Sequence, residues 1–268
     1  MRNRRNPQRE MEMTFSKEKT IDDVVQRDFS IDVDGETVPC VIWAPADASG
    51  PRNLIVMGHG GSQHKKIETI RLRAIDYARR FGWATVVADA PGHGDRISRE
   101  EAARLAEQVG ARVRGQATEA APDMEARFRQ MGERAKQATA EWKAMLDTAQ
   151  GFDFVGDDHG VGYWGVSMGT AFGVPFVAAE PRIRCAVFGL AGLREGAAYM
   201  EQAANAIRIP VEFVFQWEDA VAPREAGIAL FNAFGSTEKS MHINPGGHMD
   251  IPNFEADAWR SFFQRHLG

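Results

Sequence analysis

A serine flanked by two glycines is the first feature of this sequence that could do chemistry. Ser167 lies within Gly165-Val-Ser-Met-Gly169, directly after an apolar segment that ends in tyrosine and tryptophan. A Gly-x-Ser-x-Gly pattern between a buried strand and a helix is typical of a nucleophile elbow, a sharp turn that exposes the serine hydroxyl. The two glycines leave room for the strand and the helix to close around the serine. The pattern predicts that Ser167 is a nucleophile.

A serine hydroxyl needs a histidine base, and the histidine needs a carboxylate that fixes its tautomer and stabilises its cation. Where the serine lies on such an elbow, the acid follows it in the chain and the histidine comes last. Of the seven histidines, His242, His248 and His266 follow a suitable acid. We predict His248 as the base, because it follows a Pro-Gly-Gly loop at the carboxyl end of a predicted strand. His242 lies within a strand, and His266 lies on the C-terminal amphipathic helix.

The predicted acid is Asp219, which lies just beyond the buried strand at residues 211–215 and so at the same edge of the sheet. Glu218 is the alternative. If Glu218 were the partner of the histidine, Asp219 would be a residue at the entry of the next helix.

The alkoxide that forms during such a reaction needs hydrogen-bond donors in a fixed pocket. The Met168 N–H follows the nucleophile directly, so the geometry of an elbow makes it one donor. The second donor is expected from the His59-Gly-Gly61 loop, where glycine lets the backbone approach the substrate closely. We predict Gly61 for this role, with Gly60 as the next choice. His59 is expected to brace the loop, and His93 to belong to a turn.

Alternating strands and helices predict the elements that position these residues. Residues 24–43 suggest a hairpin around Asp34-Gly35, and Pro39 within it favours an outer, antiparallel position in the sheet. Further on, apolar strands alternate with amphipathic helices, which predicts one doubly wound, mostly parallel α/β sheet. These strands are expected at residues 54–57, 83–88, 160–164, 185–188, 211–215 and 240–243.

Two helices are expected as an insertion after the second buried parallel strand. Ser98 and Glu101 form a capping-box pattern that opens a helix to about residue 109, where Gly110 and later Gly115 interrupt it. The next helix begins near residues 122–123 and carries an apolar stripe that is expected to pack on the sheet: Met124, Phe128, Met131, Ala135, Ala138, Trp142 and Met145. Residues 97–135 are therefore predicted as a small helical lid. The domain prediction is a flexible arm at residues 1–20 and a single domain at residues 21–268.

Composition narrows the function classes. The net charge of −5 gives no general attraction to nucleic acid or to anionic membranes, and 44% hydrophobic residues are ample for a large core. Cys40 and Cys185 are the only cysteines and are expected to be buried, reduced thiols. The sequence has no membrane span or signal-peptide pattern and no metal-ligand spacing. It predicts a cytoplasmic protein with a small-molecule substrate, and no cofactor or metal is expected.

From about residue 25 to residue 268 the chain resembles the α/β-hydrolase superfamily. Within it, the chain is most similar to the serine esterases related to dienelactone hydrolases. Dienelactone hydrolase itself uses a cysteine nucleophile, so Ser167 argues against that activity, and two glycines after His59 instead of three argue against the hormone-sensitive-lipase type. The motifs that carry the resemblance are His59-Gly-Gly61, Asp89-Ala-Pro-Gly-His-Gly94, Gly165-Val-Ser-Met-Gly169, Asp219 and Gly247-His248.

The resemblance implies an α/β-hydrolase fold and a serine hydrolase that cleaves a small carboxylic ester through an acyl-enzyme. A thioesterase, peptidase or acyltransferase would use the same three side chains, and a non-catalytic ligand-binding protein could keep the same fold.

Overall fold

The computed structural model describes residues 15–116, 124–157, 159–194 and 196–268, with the side chains of residues 124–128 left aside. Within these ranges nine strands form one sheet, and seven α-helices flank it. The strands are β1 (Lys17–Ile21), β2 (Val24–Val33), β3 (Glu36–Pro45), β4 (Leu54–Gly58), β5 (Ala84–Ala88), β6 (Val161–Val166), β7 (Ile183–Gly189), β8 (Val211–Gln216) and β9 (Lys239–Asn244). The helices are α1 (Glu68–Phe81), α2 (Arg99–Val113), α3 (Met124–Gln150), α4 (Met168–Ala179), α5 (Ala198–Ala206), α6 (Arg224–Ala233) and α7 (Glu255–Leu267).

The sheet has the order β1-β2-β3-β5-β4-β6-β7-β8-β9. Its first three strands pair antiparallel, and β3 pairs antiparallel with β5. All remaining pairs, from β5 and β4 through to β9, are parallel. The carboxyl ends of β4 to β9 therefore share one edge of the sheet, and the prediction of a mostly parallel α/β sheet with an antiparallel N-terminal side is confirmed.

The hairpin between β2 and β3 turns at Asp34 and Gly35, as predicted, and both residues have positive φ angles. The predicted outer position of its second strand is wrong, because β3 lies between β2 and β5. Pro39 is tolerated there because it lies just beyond the stretch of β3 that pairs with β5, and its carbonyl accepts the Asp89 N–H at 3.0 Å. Proline has no N–H to donate, but at this position β5 has already ended, so no hydrogen bond of the sheet is lost.

The predicted flexible arm is too long. Residues 1–14 lie outside the described ranges, but residues 17–20 belong to β1, which pairs with β2 along its whole length. The sequence of β1 is charged because the strand forms an exposed edge, so it lacks the apolar alternation that reveals a half-buried strand. The folded part of the chain therefore begins before residue 21.

A hydrophobic core lies on each face of the sheet. On one face, α1 and α7 cover the strands, with Trp43, Tyr77 and Trp259 among the buried side chains. On the other face, α3 to α6 bury a larger cluster that includes Trp142 and Phe188. Coverage on both faces explains why the central strands read as continuous apolar runs in the sequence.

The helical insertion differs in detail from its prediction. The capping box of Ser98 and Glu101 is present, but α2 continues through Gly110 to Val113, because a single glycine weakens a helix without necessarily ending it. In α3 the apolar stripe is buried from Ala135 onward, whereas Met131 is exposed. The side chains of Met124 and Phe128 lie outside those that the structure describes. Whether this segment acts as a lid stays a prediction, as does the single-domain organisation.

Two smaller expectations can be compared directly with the structure. Cys40 and Cys185 are both buried and free, as predicted. None of the helices in the described ranges is long and apolar enough to cross a lipid bilayer.

Candidate active site

Ser167 lies at the apex between β6 and α4, where the backbone has φ 58° and ψ −120°. This positive φ is unusual for a residue with a Cβ and is the strained geometry that the elbow pattern predicts. A Cβ at position 169 would clash with the carbonyl of Gly58, and one at position 165 would clash with the backbone of Gly169. Both flanking glycines are therefore required by the close approach of β4, β6 and α4.

Hydrogen bonds hold the elbow in this conformation. The Ser167 N–H donates to Gly189 O at 2.8 Å, which ties the apex to β7. The buried Thr170 hydroxyl lies 2.8 Å from Gly165 O and accepts the Gly189 N–H at 2.8 Å. The Tyr163 hydroxyl donates to Gly169 O. The serine is thus fixed by its neighbours on both sides of the turn.

The structure brings the three predicted side chains into one hydrogen-bonded chain. His248 Nε2 lies 2.9 Å from Ser167 Oγ, and His248 Nδ1 lies 2.7 Å from Asp219 Oδ2. Asp219 and His248 are buried, and Ser167 is half-buried. Since the carboxylate accepts from Nδ1–H, Nε2 of the neutral ring is left to accept the serine proton.

Asp219 is oriented by the turn that follows β8. Its Oδ1 accepts the N–H groups of Val221 and Ala222 at 2.7 and 2.9 Å, which leaves Oδ2 for the histidine. Glu218, the alternative acid, instead accepts the N–H of Gly246, in the loop that leads to His248. Of the two neighbouring acids, Asp219 contacts the imidazole and Glu218 anchors its loop.

Two backbone N–H groups, one directly after Ser167 and one in the glycine loop after β4, are available as donors. Met168 is the first residue of α4, so its N–H has no carbonyl one turn earlier in the helix to donate to. The Gly60 N–H is engaged by Gln63 Oε1 at 3.0 Å, whereas the Gly61 N–H has no acceptor among the described residues. Of the two glycines, Gly61 is the one whose N–H the described residues leave free to donate, and its role in binding an oxyanion stays a prediction.

His59 and His93 lie beneath this loop and are buried. His59 Nε2 accepts the Ala90 N–H at 3.0 Å and its Nδ1 lies 2.9 Å from Gly60 O, so the ring is the neutral Nδ1–H tautomer. The expectation that His59 braces the loop is confirmed. Burial lowers the pKa of His59 to about 4. His93 Nδ1 contacts Pro91 O at 3.0 Å, in keeping with a turn residue.

A network of charged side chains, most of them buried, fixes the loops after β4 and β5, and the sequence analysis assigned no role to it. Lys65 Nζ lies 2.6 Å from Asp89 Oδ2 and also contacts Asp95, while Asp89 Oδ1 accepts the Lys65 N–H. Arg96 makes a two-pronged contact with the buried Glu141 of α3, at 2.7 and 2.9 Å. In the sequence, only Asp89 at the start of the turn-rich loop after β5 pointed to this network.

Helix α2 borders the site. A Cβ on Gly61 would lie 3.7 Å from the Cγ2 of Val109, so this helix passes over the glycine loop. The other histidines that follow an acid lie elsewhere: His242 pairs with Glu255 and His266 with Glu238. The arrangement at Ser167 brings together a hydroxyl, an imidazole and a carboxylate beside a backbone N–H that the described residues leave free, which are the kinds of group that acyl transfer requires.

Comparisons with known proteins identify solved structures that are similar to this chain. No protein-family model matches the chain, and no curated protein matches it with statistical significance. Among solved structures, a PEG-bound complex of a cold-adapted esterase from an Arctic intertidal metagenomic library is 31% identical, with a TM-score of 0.77, and the match covers 96% of this chain and 100% of that one.

Two more distant structures share the fold. The acetyl xylan esterase from Paenibacillus sp. R4 is 15% identical, with a TM-score of 0.72 and coverage of 95% of this chain and 88% of that chain. Est1E from Butyrivibrio proteoclasticus is 16% identical, with a TM-score of 0.60 and coverage of 89% and 98%. With the closer likeness extending over the full length of the Arctic esterase, the chain belongs to the esterases of the dienelactone-hydrolase-like type within the α/β-hydrolase superfamily.

Proposed function

We propose that this protein hydrolyses a small carboxylic ester through an acyl-enzyme intermediate formed on Ser167. The observation that carries the proposal is the continuous chain of hydrogen bonds from Ser167 Oγ through His248 to Asp219, with the serine on a strained elbow. Membership in an esterase family supports the choice of an ester as the substrate.

In the first half of the reaction Ser167 Oγ attacks the ester carbonyl carbon while its proton moves to His248 Nε2. The C=O π electrons move to the carbonyl oxygen, which becomes an oxyanion. Asp219 does not take the proton; it holds the imidazole in orientation and stabilises the imidazolium. When the oxyanion collapses, the bond to the alkoxy oxygen breaks and His248 returns its proton to the departing alcohol.

The oxyanion accepts hydrogen bonds from the N–H groups of Met168 and Gly61. Both donors are backbone groups in fixed positions, so little reorganisation is needed when charge develops. Loss of one such donor typically costs about 3 kcal/mol in transition-state stabilisation. The position of Met168 at the start of α4 adds the positive end of the helix dipole.

In the second half a water molecule replaces the alcohol. His248 removes a proton from this water, whose oxygen attacks the acyl carbon and gives a second oxyanion at the same donors. Collapse of this intermediate breaks the bond to Ser167 Oγ, and the serine regains its proton from His248. The products are a carboxylic acid and an alcohol, and these steps require no cofactor.

The first test is Ser167→Ala assayed with p-nitrophenyl acetate. We expect kcat to fall by about 10⁴-fold or more, because the covalent step is lost. Circular dichroism should be unchanged. Ser261→Ala is the matched control, since Ser261 is exposed on α7, away from the site, and this variant should keep full activity.

A fluorophosphonate probe separates an enzyme from a non-catalytic protein with the same fold. Mass spectrometry should place the adduct on Ser167 in the wild type and find none in Ser167→Ala. Competing oxygen ester, thioester and anilide substrates then test the leaving group. A wild-type protein that reacts with none of these, or a Ser167→Ala variant that keeps its esterase activity, would refute the proposal.

A further inference from the structure

Outside the catalytic site, three potential metal ligands converge at the far edge of the parallel sheet. Glu212 belongs to β8, His242 to β9, and Glu255 is the first residue of α7. One ligand atom from each side chain lies within 4.8 Å of the other two. They are well separated in the sequence, which explains why no metal-binding spacing was visible there.

Strand register accounts for the convergence. Val214 of β8 pairs with His242 of β9, and Glu212 lies two residues before Val214, so Glu212 and His242 are diagonal neighbours on one face. Val214 packs in the same core as Trp259 of α7, so this is the face that α7 covers. The first turn of α7 then brings Glu255 onto the two strand residues.

Glu212 has a buried polar atom that the protein does not satisfy. The residue is 6% exposed, and its Oε1 has no hydrogen-bond partner among the described residues. Glu255 is 1% exposed, so two carboxylates are buried side by side with a single imidazole. A buried charge without compensation is strongly unfavourable, and a cation between these groups would remove both the repulsion and the unsatisfied oxygen.

The remaining contacts resemble the outer support of a metal site. Asn244 Nδ2 donates to Glu255 Oε1 at 2.8 Å, which fixes the carboxylate and leaves Oε2 turned toward His242. His242 Nδ1 lies 2.8 Å from that Oε2. Groups that orient ligands in this way are a regular part of metal sites in proteins.

We infer that Glu212, His242 and Glu255 bind one divalent transition-metal cation of the Zn²⁺ type. Tetrahedral bonds of about 2.0–2.2 Å place ligand atoms about 3.3 Å apart, so the cluster needs only small side-chain movements to enclose an ion. A water molecule completes the coordination from the side of His242, whose side chain is 35% exposed. Three protein ligands and one open position are typical of zinc sites that are not fully enclosed.

The donor set distinguishes among metals. One imidazole nitrogen with two carboxylate oxygens suits first-row transition metals, whereas Ca²⁺ and Mg²⁺ prefer six or more oxygen ligands. We therefore expect Zn²⁺ to bind and Ca²⁺ and Mg²⁺ to bind far more weakly. The inference does not depend on the catalytic proposal, because none of the three ligands contacts the side chains around Ser167.

The test is calorimetric titration of the full chain with ZnCl₂ after dialysis against EDTA. We expect one equivalent to bind to the wild type and the melting temperature to rise with Zn²⁺ concentration. Glu212→Gln keeps the shape of the side chain but removes the charge, and we expect its affinity to be weaker by about 100-fold or more, given that losing an outer support alone costs 10–100-fold.

His242→Ala is the second variant, chosen because a half-exposed side chain can be removed with little risk to folding. It should show the same loss of Zn²⁺ affinity. His159→Ala removes an exposed histidine elsewhere and should bind as the wild type does. The inference is overturned if the wild type binds no Zn²⁺, or if Glu212→Gln or His242→Ala binds it as tightly as the wild type.

Discussion

Ser167 adopts a backbone conformation that non-glycine residues avoid, and such strain typically costs about 1–3 kcal/mol. The surrounding hydrogen bonds to Gly189 and the close packing at Gly169 hold it in place. Strain of this kind persists only where neighbouring structure determines the backbone. The position of Ser167 is therefore determined by the strands β4, β6 and β7 as much as by the serine itself.

His59 gives a prediction about pH and stability. Its pKa is lowered by burial to about 4, from an ordinary value of about 6.5, so the folded state prefers the neutral ring. The unfolded chain takes up the proton first as the pH falls. The contribution of His59 to stability is therefore complete above about pH 6.5 and is lost progressively toward about pH 4.

We expect the free energy of unfolding to drop by about 2 kcal/mol from this residue alone between about pH 7.5 and about pH 5. Urea unfolding of the wild type and of His59→Gln at both pH values measures it, because the other titrating groups are common to both proteins. The wild type should lose more stability than the variant. Equal losses in the two proteins would show that His59 does not titrate in this way.

At the scale of single residues, the sequence predicted those side chains of the candidate site that lie in short motifs or at the ends of strands. Ser167, Asp219 and His248 could be found because an elbow, a chain order and the ends of three strands restrict the choice. Glu212 could not, because it stands alone in an apolar strand and its neighbours come from other elements. Contacts that depend on register between strands leave no local trace.

Helix α2 is the element that passes over the glycine loop of the proposed site. Val109 lies against Gly61, and α2 has no fully buried side chain among its residues. We propose that residues 97–135 act as the lid that the sequence suggested. A larger side chain at position 109 should then narrow the entrance over the glycine loop.

We expect Val109→Trp to lower kcat/KM by about tenfold for p-nitrophenyl butyrate and far less for the acetate. Steady-state kinetics with both esters measures the ratio. Gln108→Trp adds the same bulk at an exposed position of α2 and serves as the control. A similar change in both variants, or equal effects on both esters, would argue against a lid at this position.

Element boundaries were predicted less well than element types. The sequence placed the strand before His248 at residues 240–243, whereas β9 spans Lys239–Asn244. It also missed β1, whose charged residues form an exposed edge, and it ended α2 at Gly110. The pairing that makes β1 a strand is tertiary, so propensity and periodicity carry little information about it, whereas α2 shows that one glycine need not end a helix.

At the scale of the whole molecule, two cores share one sheet. Trp142 lies in the core beneath α3, and Trp43, Trp83, Trp164 and Trp259 lie in the core beneath α1 and α7. Because the same strands contribute side chains to both faces, neither core can persist without the other. We therefore expect residues 15–268 to unfold as one cooperative unit.

Guanidinium unfolding followed by tryptophan fluorescence and by far-ultraviolet circular dichroism tests this expectation. The tryptophan signal reports mainly on the α1 and α7 face and the dichroism on all helices. The two curves should have the same midpoint and slope. Separate midpoints, or a plateau between two transitions, would mean that one face unfolds before the other.

The three side chains of the proposed triad follow β6, β8 and β9 at one rim of the sheet, while the two-helix insertion leaves that rim after β5. The proposed triad and the proposed lid are thus encoded in separate stretches of polypeptide. On that proposal, we expect substitutions between residues 97 and 135 to change which esters are admitted while leaving the hydrogen bonds that join Ser167, His248 and Asp219 in place.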